Sequence, residues 1–233
     1  MKVKLFDNPK GVSEREFVED LEKVPKWRQE KALKYRFLID RVLSVKAFLL
    51  LKEGLKEEFG IDEEIGEDLG GKIDEGTEGN SGARAAKRVE INSDNIETEI
   101  GGHRLEISYL KHGKPVFKGE TGIHFNLSHC KNGVLCVVDE KEVGCDIEDI
   151  PETLDIRVCK KVFNDEEVQR VLESEKPCVE FTRLWTMKEA LLKLDGTGIA
   201  TKLSEVLVDE RVENVEFTTV VCEEKGYVYT VAR

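Results

Sequence analysis

The chain has 233 residues, 39% hydrophobic and 36% charged, enough apolar material for one large domain or two small ones. Its 48 acidic and 36 basic residues leave a net charge of −12, which argues against nucleic acid as a general partner. No apolar run approaches the roughly 20 residues of a membrane helix, and the N-terminus lacks a signal-peptide block, so a cytoplasmic protein with no membrane partner is expected.

Residues 3–5 read as a short strand, and 13–21 as a short helix opened by a capping box of Ser13 with Glu16. A long helix is expected over 27–59, because Phe37, Val42, Leu43, Ala47, Leu50 and Leu51 recur near helical spacing. Its first half is basic, with Lys26, Arg28, Lys31, Lys34, Arg36 and Arg41. Residues 61–101 change character. Within 61–80 alone, eight acids stand against one base, which is −7 of the total charge. That composition reads as a mobile acidic insertion.

Strands are expected at 105–110, 124–129, 134–138 and 143–148, with Asn132-Gly133 favouring a hairpin turn. Helices follow at 154–162, from an Asn164 cap, and at 179–194, the last ending near Gly196 and Gly198. Segments 206–208, 215–221 and 227–231 suggest a closing antiparallel meander. Helices and antiparallel strands in blocks indicate an α+β fold, with two similar subdomains at 1–110 and 111–233, each a main helix on a small sheet. The six cysteines form no C-x-x-C pair, so zinc is poorly supported and a reduced interior is expected.

Asp146 and Glu148 lie two apart in a strand, and Glu189 and Lys193 four apart in a helix, so each pair shares a face. Aligned carboxylates repel unless a cation lies between them, and Mg²⁺ suits carboxylates with phosphate oxygens. Ser128-His129 ends an apolar strand, and Gly113-Lys114-Pro115 forms a stiff turn. Glu167 reads as the structural partner of the Asn164 cap. Taken singly, each feature is equally an ordinary surface pair, a structural histidine or a turn. Their order and spacing set them apart.

Gly113-Lys114-Pro115, Phe125-Asn126-Leu127-Ser128-His129, Gly144-Cys145-Asp146-Ile147-Glu148 and Trp185-Thr186-Met187-Lys188-Glu189-Ala190-Leu191-Leu192-Lys193 together resemble the Sfp-type 4′-phosphopantetheinyl transferases. Phe163-Asn164-Asp165-Glu166-Glu167 and Gly196-Thr197-Gly198-Ile199 extend the resemblance. It implies a monomeric pseudo-dimer with the active site in the cleft between its halves. It also implies Mg²⁺-dependent transfer of the phosphopantetheine arm of coenzyme A to a serine of an apo acyl or peptidyl carrier protein, releasing adenosine 3′,5′-bisphosphate.

By the same resemblance, Asp146, Glu148 and Glu189 hold the metal, and Lys193 and His129 contact phosphate. Lys114 and Ser128 hold the nucleotide end. Arg28 and Lys31 fall where the family places basic residues for the 3′-phosphate, and Ser44 where it has a small hydroxyl residue. Glu189 would take the serine proton, directly or through a water. The acidic insertion departs from the family pattern and is expected to be dispensable. Two rivals use the same residues: a Mg²⁺-dependent nucleotide pyrophosphate hydrolase, and a degenerate coenzyme A-binding protein.

Overall fold

The computed structural model describes residues 1–62, 65–67, 105–198, 202–207 and 210–233. Strand β1 (Lys2–Asp7) leads to helix α1 (Glu14–Leu21), whose Ser13–Glu16 capping box forms as expected. The expected single helix over 27–59 is two, α2 (Lys26–Leu33) and α3 (Leu38–Phe59). Phe37, one of the apolar positions at helical spacing, is 59% exposed and takes an extended conformation ahead of α3. The Lys34–Phe37 stretch is exposed throughout, so burial offers nothing to hold it helical. Beyond it α3 buries Val42, Leu43, Val45, Phe48, Leu51 and Leu55.

Strands β2 (Gly66–Glu67), β3 (Glu106–Tyr109) and β4 (Pro115–Phe117) form one small sheet. Its first strand corrects the extent of the mobile acidic insertion. Ile65 is only 2% exposed and its carbonyl accepts a hydrogen bond from Trp27 Nε1. One apolar residue in an acidic run therefore anchors the segment to the core. The expected insertion over 68–101 lies outside the described residues.

Strands β5 (His124–His129) and β6 (Gly133–Asp139) make the expected hairpin, and β1 adds on the far side of β6 in the order β1-β6-β5. That sheet draws strands from both sides of the expected boundary at residue 110. Neither Asn132 nor Gly133 has a positive φ, so the mirror-image turn that Asn-Gly favours is not used. Instead the Asp149 carboxylate accepts the N–H groups of Lys131 and Asn132. Helix α3 packs across β1 and β6, and Gly54 lets it close on the Val138 side chain.

The third sheet has the order β7-β9-β8, built from β7 (Gly144–Asp149), β8 (Phe217–Cys222) and β9 (Tyr227–Ala232). Residues 206–207 are not a strand, and 208 lies outside the described residues. Val206 instead seats a loop against Leu191 and Leu192, so its apolar character serves packing rather than pairing. Helices α4 (Ile156–Val162), α5 (Asp165–Glu173) and α6 (Pro177–Asp195) intervene, and α6 lies across β7 and β9. Gly196 ends α6 with φ 69°, the left-handed cap that glycine adopts without strain. The whole is α+β. No helix among the described residues is long and apolar enough to cross a membrane. All six cysteines are unbridged, four of them buried.

The contact that seats α6 is backbone to backbone. A Cβ on Gly144 would stand 2.0 Å from the Ala190 carbonyl oxygen and 2.4 Å from the Leu194 nitrogen. Gly144→Ala is expected to destabilise the fold by about 3 kcal/mol, because neither element can yield locally. Urea denaturation measures this; a midpoint equal to wild type would show that α6 does not rest on β7.

Candidate active site

Strand β7 sorts its side chains by alternation. Cys145 and Ile147 enter the core with Leu135 and Val137. Asp146 and Glu148 leave the opposite face, towards α6. Helix α6 answers with one stripe, Trp185, Glu189 and Lys193, at four-residue spacing. Trp185 Nε1 donates to Glu148 Oε1 at 3.3 Å, and Lys193 Nζ donates to Asp146 Oδ1 at 2.6 Å.

The other edge of β7 is held by side chains of β5. Asn126 Oδ1 accepts the Cys145 N–H at 3.1 Å, and Ser128 Oγ accepts the Ile147 N–H at 3.4 Å. Ser128 Oγ also donates to Asp146 Oδ1 at 2.8 Å and accepts from Lys193 Nζ at 2.9 Å. Ser128, Asp146 and Lys193 thus form a closed triangle.

Asp146 is 2% exposed, yet its Oδ2 is buried without a partner, as is Glu189 Oε1. Burial, with the charges of Asp146 and Glu189, pushes the Glu148 carboxyl up to about 7. Burial and Asp146 likewise raise Glu189. Burial opposes the Lys193 charge, but Asp146, Cys145 and Glu189 outweigh it and raise the ammonium above its ordinary value. Among the described residues no group of three or more His, Cys, Asp or Glu side chains is gathered closely enough to hold a metal ion. The expected metal trio therefore interacts electrostatically without converging on one point, and Lys193 lies against Asp146. The donor set still fits a hard cation: oxygen ligands, two of them unpartnered, in a cluster of like charge.

Lys114 donates to Glu142 and to the Leu194 carbonyl at 2.9 Å, so it caps the end of α6. It shares a cavity of about 250 Å³ with Pro115, Asn126, Glu189 and Lys193. Arg28 donates to the Ser44 carbonyl at 2.5 Å and lies near the Trp27 and Phe48 rings. Lys31 is engaged by Glu67 at 3.0 Å and by the Tyr109 hydroxyl at 2.5 Å. His129 ends β5, one residue after Ser128, and feels the charge of Lys193. Partial desolvation, then Lys193, push its imidazole below its ordinary value, and its exposure to water limits that shift. A neutral imidazole there offers a hydrogen bond rather than a charge.

Sequence reasoning missed Asn126 as the brace of β7, and Tyr109 and Glu67 as partners of Lys31. It also missed Lys188, which is fully buried, pairs with Glu167 at 2.8 Å and donates to the Leu203 carbonyl at 2.7 Å. Glu167 keeps its capping role with Asn164 as well. A lysine among apolar α6 neighbours was the available signal.

Residues 142–232, which carry β7 and α6, match the family model described as the 4′-phosphopantetheinyl transferase superfamily. This stretch is similar to that superfamily over less than half of the chain. The 4′-phosphopantetheinyl transferase psf-1 of Bacillus pumilus is 42% identical over 94 residues, 40% of each chain. The 4′-phosphopantetheinyl transferase HetI of Nostoc sp. is 38% identical over 110 residues, 44% of this chain and 46% of its own. The 4′-phosphopantetheinyl transferase Sfp of Bacillus subtilis is 30% identical over 106 residues, 45% of this chain and 47% of its own. The matched stretch spans about half or less of these relatives, and it supports the Sfp-type resemblance. Asp146, Glu148, Glu189 and Lys193 all lie within the matched stretch, whereas Arg28, Lys31 and Ser44 lie outside it.

Two outcomes follow from these charges. Glu148 has a folded-state value near 7 against an ordinary 4.5, so between those values the folded protein binds more protons than the unfolded chain. Stability without added metal therefore falls as pH rises through that window, and Glu148→Gln flattens the slope in melts taken across it. Lys188→Met leaves Glu167 buried and unpaired, at a cost of about 3–5 kcal/mol, and the double variant Glu167→Gln/Lys188→Met recovers part of it. A double-variant loss equal to the sum of the Glu167→Gln and Lys188→Met losses, by urea denaturation, would show that the pair is not coupled.

Proposed function

We propose that this protein transfers the 4′-phosphopantetheine arm of coenzyme A to a serine of an apo acyl or peptidyl carrier protein, releasing adenosine 3′,5′-bisphosphate. The observation that carries this reading is the Lys193–Asp146 pair facing Glu148 and Glu189 in the stretch that matches the superfamily model, with two buried carboxylate oxygens unpartnered. In this reading the protein is a cytoplasmic monomer, and its α3 and α6 layers, each on its own sheet, act as the two halves of a pseudo-dimer.

Asp146, Glu148 and Glu189 would hold Mg²⁺, which when bound neutralises the charge of the pyrophosphate. The serine oxygen bonds to the pantetheine-bearing phosphorus as the bridging P–O bond to the nucleotide breaks. Glu189, its proton affinity raised by burial, takes the serine proton directly or through a water. Lys193 steadies charge on the pyrophosphate, and His129 donates a hydrogen bond to it. Lys114 and Ser128 border the nucleotide end, and Arg28 and Lys31 supply positive charge for the 3′-phosphate beside Ser44. Arg28 and Lys31 are already engaged by protein groups, so that end would exchange partners on binding.

Incubation with coenzyme A, Mg²⁺ and an apo carrier tests this by the carrier's intact mass. A gain of one phosphopantetheine is expected from wild type, with at least a hundredfold loss of rate in Asp146→Ala, on the order of losing one key electrostatic group. No gain on fatty-acid, polyketide or non-ribosomal peptide carriers, with coenzyme A consumed, would favour the pyrophosphate hydrolase instead.

A further inference from the structure

We propose that Lys193 is the built-in counter-ion of Asp146 in the metal-free protein, and that it competes with the divalent cation for that carboxylate. The inference rests on the transfer reading and adds to it: the lysine is handed from Asp146 to the pyrophosphate when cation and coenzyme A occupy the site.

A carboxylate as buried as Asp146 is costly unless a charge and hydrogen bonds satisfy it. Lys193 supplies the charge at 2.6 Å and Ser128 the hydrogen bond at 2.8 Å. Ser128 also accepts from the same ammonium at 2.9 Å, so the lysine is fixed from two sides. Its side chain is nonetheless 31% exposed, against 3% for its partner, so the lysine is the more accessible member of the pair. The unpartnered oxygens, Asp146 Oδ2 and Glu189 Oε1, lie on the same two elements. The carboxylates have not converged on a common point, and Lys193 holds Asp146 Oδ1 at 2.6 Å.

A divalent cation bound through Asp146 would share that carboxylate with an ammonium, and like charges at such range repel strongly. A lysine has a flexible stem and can move, whereas Asp146 is braced by Ser128. Lys193 therefore has opposite effects on two quantities. It weakens cation binding to the free protein and it supports transfer. A lysine that only anchored phosphate would leave cation affinity unchanged in the absence of coenzyme A.

Mn²⁺ binding to the full chain without coenzyme A, read by electron paramagnetic resonance, tests this. Lys193→Met is expected to bind Mn²⁺ about tenfold more tightly than wild type, and to lose transfer. Lys193→Gln serves the same purpose should the methionine variant fail to fold. On the wild type itself, saturating Mn²⁺ is expected to speed acetic anhydride labelling of Lys193, read by peptide mass. Equal or weaker binding by the lysine variants, or labelling that Mn²⁺ does not change, overturns the proposal. If Asp146→Asn still abolishes Mn²⁺ binding in that case, the transfer reading stands. Mn²⁺ binding that Asp146→Asn leaves intact overturns the metal assignment as well.

Discussion

The site depends on one placement: β7 is gripped on two sides. On one side α6 lies against it so closely that Gly144 admits no side chain. On the other, Asn126 and Ser128 of β5 take the N–H groups of Cys145 and Ile147 that no neighbouring strand pairs. Side chains thus splice the β1-β6-β5 sheet to the β7-β9-β8 sheet. Because strand alternation is strict, this grip fixes which face Asp146 and Glu148 present to α6. A slip of one residue would turn both carboxylates into the core and set Cys145 and Ile147 against α6.

Helix α6 carries two lysines whose environments divide structure from chemistry. Lys188 is fully buried against Glu167, the Leu203 carbonyl and the Phe163 ring, and it ties α5 and the following loop to the helix. Lys193, little more than one turn later, pairs with Asp146 but keeps part of its side chain at the surface. One cation has every partner it needs. The other sits among three carboxylates whose combined charge exceeds its own. An excess of negative charge in a half-buried cleft is a stable arrangement only if protons or a further cation neutralise it, and burial holds Glu148 and Glu189 towards the protonated form.

Much of the architecture was legible in local sequence. Both capping boxes, at Ser13 and Asn164, form as their spacing implies, since they involve residues only three apart. The β5–β6 hairpin, β7 and the α6 helix with its glycine end also follow from period and punctuation. The structure departs from the local pattern where the tertiary environment decides instead. Asn132-Gly133 does not form its favoured turn, because Asp149 caps that loop from another strand. Phe37 matched the helical period yet faces water. Val206 looked like a strand residue and instead fills a gap beside α6.

The sequence alone determined the chemistry available: two carboxylates on one strand face, a carboxylate and a lysine on one helix face, and the order of segments that resembles a transferase family. These follow from residue identity and the fixed periods of strand and helix. Only the tertiary structure decided which groups meet. It set Lys193 on Asp146, gave Ser128 to that pair, turned Lys114 to the end of α6, and left Asp146 Oδ2 and Glu189 Oε1 without partners. The physical reason is range. Backbone periodicity acts over a few residues, while the field at a buried carboxylate is set by neighbours from β5, β7 and α6, brought together by packing that no local pattern encodes.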